Sequence, residues 1–248
     1  MSSDARTSVV KRRYIVGSRM ASASRSSASA SSCRPCAART RPRACSVEAR
    51  ELTERATKLA LESGSREALG WSRAAVGRCA VADGNYVEAE AGLREGLAMF
   101  EETGAEGRAG WAKAMLASLE LRHGNTARAE DLARDAIRRL RATKEHAFLV
   151  EAERTLAEVL VAQGRVTEAE RVAEHARKTV GAQDTWSRAS TLHALGLVRA
   201  AQGRQEEAEA LMREALAILE PTMYRRFTAE VRASLERIAT RPAAPAPS

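Results

Sequence analysis

A chain of 248 residues with 44% hydrophobic, 29% charged and only 4% aromatic side chains has material for one large domain or two small ones, with a real core. Its mixture of Ala, Leu, Arg and Glu favours helices over strands, and no run approaches the roughly 20 apolar residues of a membrane-spanning helix. The net charge of +8 points to nucleic acid only until its position is considered. Residues 1–46 hold ten Lys or Arg against one acid, Asp4, whereas the remainder carries 30 basic and 31 acidic residues, a net of −1.

Residues 1–46 are rich in Ser, Ala and Arg and lack apolar periodicity, so they are expected to be disordered, with too little apolar surface to offset the ordering entropy. Four readings of this basic leader stay open. Its composition is that of an organellar transit peptide, although without a clear amphipathic helix. A flexible arm touching phosphate backbones has a similar composition, but Tyr14 is the segment's single aromatic. Ala, Arg, Ser, Pro and Cys are also what a GC-rich gene yields in a wrong frame, and a plain extension is the fourth. Cys33 and Cys36 have the spacing of half a zinc knuckle, but no second pair follows, so no metal is expected. Cys79 reads as a small core residue, nothing argues for disulfides, and a reducing cytoplasm is the expected setting.

The array occupies residues 47–240. It opens with one helix over 47–62, as if this were the second half of a unit whose first half is missing, which fits a wrongly assigned start. A short stretch then recurs: "ADGNYVEAE" from Ala82, "RHGNTARAE" from Arg122, "AQGRVTEAE" from Ala162 and "AQGRQEEAE" from Ala201. Its glycines, Gly84, Gly124, Gly164 and Gly203, stand 40, 40 and 39 residues apart. Five residues after each comes an alanine, Ala89, Ala129, Ala169 or Ala208, followed in every case by Glu. Such a period indicates a solenoid or another repeat architecture.

Around the last glycine the apolar residues recur at helical spacing: Leu192 and Leu195 before it, then Ala208, Leu211, Met212, Ala215, Leu216 and Leu219. The unit is therefore helix, tight turn, helix. Gly suits the left-handed position just past the first helix; Asn85 and Asn125 suit a turn or N-cap, whereas Arg165 and Arg204 do not. The alanine belongs where the second helix approaches the first too closely for a larger side chain. Glu90, Glu130 and Glu209 each have an Arg four residues on, a modest helix support that Glu170 lacks. After Pro221, residues Met223, Phe227, Val231, Leu235 and Ile238 outline a capping helix. Residues 241–248 are a Pro/Ala tail.

"LGLVRAAQGRQEEAEALMREAL" resembles a tetratricopeptide repeat, with Leu195-Gly196 in the first helix and Ala208 and Ala215 in the second. The corresponding small positions in the other units are Gly77, Ala117 and Ala157, then Gly96, Ala136 and Ala176. Two features depart from the family: the period is near 40 instead of about 34, and the aromatic signature positions are mostly Ala, Arg or Leu. Long Ala-Arg-Glu-rich units of this kind look similar to the C-terminal arms of large bacterial signalling proteins, including ATP-dependent transcription regulators and multidomain nucleotide cyclases. No Walker motif, cyclase core or helix-turn-helix is visible in the chain itself.

The resemblance implies an all-α, right-handed solenoid of about four units whose first helices line a concave groove. Inner positions would then include Trp71, Ala74, Arg78, Trp111, Leu121, Arg122, Glu151, Arg154, Glu158 and His193. Trp71 and Trp111 are 40 residues apart and equivalent; they serve either as binding anchors or as packing between helices. A groove ligand would be an extended or helical peptide, acidic near Arg78, Arg122 and Arg154. The expected function is a non-enzymatic protein-interaction scaffold or regulatory arm. The main alternative is a nucleic-acid-associated protein using the basic arm, with strongly salt-dependent binding. An all-helical enzyme is a distant third. His123, His146, His175 and His193 are scattered, and every turn glycine is solitary, so neither a two-His metal helix nor a phosphate-cradling loop is present and no cofactor is expected.

Overall fold

The computed structural model describes residues 47–143, 145–181, 184–222 and 224–240, and the helices lie in one compact unit, Arg41–Ser248. The expected disordered leader and Pro/Ala tail fall outside the described residues. Among those residues there are ten α-helices and no strand: α1 Val47–Glu62, α2 Arg66–Asp83, α3 Tyr86–Glu102, α4 Glu106–Arg122, α5 Thr126–Thr143, α6 His146–Ala162, α7 Val166–Thr179, α8 Thr185–Ala201, α9 Gln205–Leu219 and α10 Arg225–Ala239. The even-numbered helices begin at Arg66, Glu106, His146, Thr185 and Arg225, so the repeat frame runs through the closing helix as well. Four helix pairs thus follow α1, a second-type helix, and precede α10, a first-type helix.

The turns follow from the residues. Gly84, Gly124, Gly164 and Gly203 have φ of 78°, 81°, 76° and 76°, a left-handed conformation that costs a Cβ-bearing residue about 1 kcal/mol or more. At Gly84 this lets the next N–H, of Asn85, donate to the Ala80 carbonyl at 2.9 Å and close α2. Asn85 then caps α3 by accepting from the Glu88 N–H at 3.3 Å. Asn125 instead donates from its side-chain amide to Glu120 at 2.8 Å. Arg165 and Arg204 make no side-chain cap.

Close approach explains the small residues. Ala89, Ala129, Ala169 and Ala208 are fully buried, and a Cβ on Gly77 would lie 2.8 Å from the Ala89 carbonyl oxygen. The central core joins Ala117, Ala133, Ile137, Leu140, Leu156 and Leu160. Phe227, Val231 and Ile238 of α10 pack into a second cluster with Leu192, Met212 and Leu219. Glu236 of α10 stands at the frame position that is Gly77, Ala117, Ala157 or Gly196 elsewhere, so α10 lacks the others' close-packing site. Cys79, expected as a small core residue, is only half-buried.

First helices touch first helices: α4 meets α6, α6 meets α8 and α8 meets α10. Successive second helices make no comparable approach among the described residues. The array therefore curves with the first helices inside and the second helices splayed outside.

Candidate interaction surface

The inner face has two zones, and the change between them occurs at α6. In the first, equivalent positions on α2 and α4 bring Trp71 and Trp111 together, with ring centroids 4.9 Å apart. Phe148 of α6 lies 6.2 and 5.9 Å from them, and Phe100 of α3 sets its edge against Trp71 at 5.4 Å. Trp111 is 5% exposed and Trp71 half-buried, so both indoles pack between helices while Trp71 keeps some accessible surface. The Arg78 guanidinium sits 6.0 Å from the Trp111 ring and that of Arg108 6.0 Å from Trp71, at cation–π range.

At the next equivalent position along the face stands Glu151, and where α2 and α4 have Ala74 and Ala114, α6 has Arg154. Arg154 is only 8% exposed and lies between Glu151 at 2.7 Å and Glu158 at 2.5 Å, its neighbours one helical turn either way. Burial opposes the charge on Arg154, but the two glutamates outweigh it and raise its pKa. Burial also works against the Glu151 carboxylate, yet Arg154 and the Trp186 indole N–H, which donates at 3.1 Å, hold its pKa below the usual value. Glu158 is shifted the other way, because burial and the nearby Glu230 prevail over Arg154.

His193 of α8 is buried beside this cluster. Its Nε2 lies 3.0 Å from Ser234 Oγ on α10 and its Nδ1 3.8 Å from Glu158. Burial, then the positive charges of Arg154 and Arg237, lower its pKa to about 3, so the ring is neutral at physiological pH. Arg122, at the end of α4, reaches across to Glu230 of α10 at 3.5 Å.

Of the ten predicted inner positions, Ala74 is fully buried and Leu121 half-buried, and the other eight fall into three groups. Trp71 and Trp111 are stacked; Glu151, Arg154, Glu158 and His193 form one buried polar cluster; Arg78 and Arg122 reach solvent. Sequence reasoning missed Arg108, Trp186, Glu230 and Ser234. Glu230 was accessible to it: carrying the 40-residue frame into the closing helix places it in one column with Trp71, Trp111 and Glu151. Trp186 had no such signal, since its equivalents are Glu67, Gly107 and Ala147. Among the described residues no group of His, Cys, Asp and Glu is arranged for a metal ion, and no helix is long and apolar enough to cross a membrane.

Residues 148–220, from α6 through α9, match the tetratricopeptide-repeat family profile. The array is a tetratricopeptide-like helical repeat. Among solved structures, this tetratricopeptide-like chain is similar to BtubC (BKLC) from P. vanneervenii, at 19% identity and a TM-score of 0.58, over 77% of this chain and 80% of that one. It is also similar to a P. anserina chain described as a kinesin light chain with nearly identical TPR-like repeats, at 21% identity and a TM-score of 0.48, over 71% and 90% of the two chains. At such identity the BtubC likeness speaks to the fold. No curated protein sequence matches the chain. Tetratricopeptide repeats generally mediate protein–protein interaction, and the inner surface is where this array brings Trp71, Trp111 and Phe148 together.

Proposed function

We propose that this chain is a non-enzymatic protein-interaction module, a regulatory or sensor arm that receives an extended or helical peptide of a partner protein along its inner face. The observation that carries the reading is the exposed Arg78 beside the stacked Trp71–Trp111 pair. A cation next to partly accessible indole surface suits an acidic residue preceded or followed by an apolar one. The acidic group meets Arg78 and Arg122 in preference to Arg154, whose guanidinium already faces two carboxylates. The cytoplasmic setting and a place in bacterial signalling or transcription control come with the resemblance to arms of large regulators. The nucleic-acid alternative rests on residues 1–46, outside the described residues, and no observation favours it.

The test places a photoreactive side chain at position 121, an inner position whose replacement leaves Arg78 and Arg122 in place, in the full chain in extract of its own cells. The expected result is a discrete protein adduct whose capture falls about tenfold with Arg122→Glu, as loss of an interface charge contact does. Adducts with nucleic acid alone, or capture indifferent to that reversal, would overturn the reading.

A further inference from the structure

The splayed outer side holds a cleft that the inner-face reading leaves unused. Between α5 and α7, above α6, lies a space of about 540 Å³, within the roughly 300–1,000 Å³ typical of ligand sites. Its floor is apolar, formed by Ile137, Leu156 and Val172. Arg134, Arg138 and Arg141 stand along the α5 wall, and Arg171 and His175 along the α7 wall. Their spacings of three and four residues put each set on one helix face.

These side chains are unequally engaged. Arg134 is held by Glu130 at 2.8 Å and Glu168 at 2.6 Å, closing one end. Arg141 and His175 share Glu153, 1% exposed, at 3.1 and 2.9 Å. Arg138 is paired with Asp135 but 77% exposed. Arg171 is exposed and has no ion-pair partner among the described residues.

The repeat does not demand this charge. One unit earlier the equivalents of Arg141, Glu153 and His175 are Glu101, Lys113 and Asp135, with the Lys113 amine 3.4 Å from Glu101 and 2.5 Å from Asp135. The Arg141–Glu153 pair is inverted there to Glu101–Lys113, with an acid in the place of His175. Arg138 and Arg171 correspond there to Ala98 and Asp131. The preceding unit thus lacks the basic rim, keeping only Arg94 at the place of Arg134.

We propose that this cleft is a second docking site, for an acidic amphipathic helix of a partner protein, whose apolar residues rest on Ile137, Leu156 and Val172 while its carboxylates reach Arg138, Arg141 and Arg171. Two splayed parallel helices with an apolar trough suit the helix-in-groove mode. The rim residues span seven positions on α5, roughly 10 Å at about 1.5 Å per residue, which accommodates two turns of a bound helix. A nucleic-acid backbone fits poorly, because it would leave the apolar floor uncovered and bring phosphates against Glu153 and Glu168. The chain's own segments outside the described residues do not match either: residues 1–46 carry a net +9 and residues 241–248 contain no acid.

The probe is a labelled synthetic helix-forming peptide with leucines along one face flanked by glutamates, titrated against the full chain by fluorescence anisotropy. Saturable binding is expected, weakened about tenfold or more by Arg138→Glu with Arg171→Glu and unchanged by Arg78→Glu. Exposed Arg171→Glu alone should give a smaller loss in the same direction with an unaltered melting curve. Equal binding by the doubly reversed chain, equal binding of a serine-for-leucine peptide, or no binding at all would overturn the proposal. Loss through Arg78→Glu alone would move the peptide to the inner face, refuting the outer site while leaving the first reading intact.

Discussion

Arg154 is the position at which the inner face is most exposed to a single change. It is buried between two carboxylates, and each of them has further partners on other helices. Arg154→Ala leaves Glu151 and Glu158 facing each other without a cation and should cost about 3–5 kcal/mol in urea unfolding at neutral pH. Glu158→Gln should cost less than Glu151→Gln, because only the Glu151 carboxyl has its pKa lowered in the fold. His193 supplies a pH test. Its folded pKa of about 3 lies below the ordinary 6.5, so the unfolded chain binds a proton that the native ring refuses. Its contribution is complete above 6.5 and is lost as pH falls from there toward 3. Melting temperature should therefore decline as pH drops below 6.5, and His193→Gln should flatten that decline; an unaltered slope would remove His193 as its source. Glu130 acts in a separate window. Burial raises its pKa, but hydrogen bonds from Arg134, Arg165 and Gln163 bring it to about 2, so its contribution fades only as pH falls from 4.5 toward 2.

At the scale of the helix, most of what forms was legible because its signals are local. A lone Gly before a polar run stops one helix, and the alanine five residues on marks where the next approaches it. Ala169 is fully buried, so Ala169→Leu should cost about 1–3 kcal/mol through overpacking; an unchanged melting temperature would count against this. The pairs Glu90–Arg94, Glu130–Arg134 and Glu209–Arg213 form within their helices. Glu170, which lacks such an Arg, is engaged by Arg199 of α8 and by the Gln202 amide at 2.7 Å. That partner was not legible, since it depends on how α8 lies against α7. Arg165 and Arg204, unsuited to capping, turn instead to glutamates: Arg165 to Glu130 at 2.7 Å and Arg204 to Glu207 at 2.6 Å.

Across the whole molecule stability should be graded, because each unit packs mainly on its neighbours. Helix α1 packs against α2 and leaves Leu52, Leu59 and Leu61 exposed, Leu59 by 64%. Its amides should exchange with solvent fastest and those of α4 to α8, which enclose the central cluster, slowest. Uniform protection across all ten helices would show instead that the array unfolds as one unit. The sequence by itself determined the helices, their turns and the 40-residue frame, since glycine conformation, alanine size and apolar spacing act over a few residues. Only the tertiary structure decided which distant groups meet. Arg122 finds Glu230 108 positions away, Trp186 reaches Glu151, and a basic cleft opens between α5 and α7. Those meetings depend on the curvature of the stack, which sums small rotations between successive helices and leaves no mark on residue spacing.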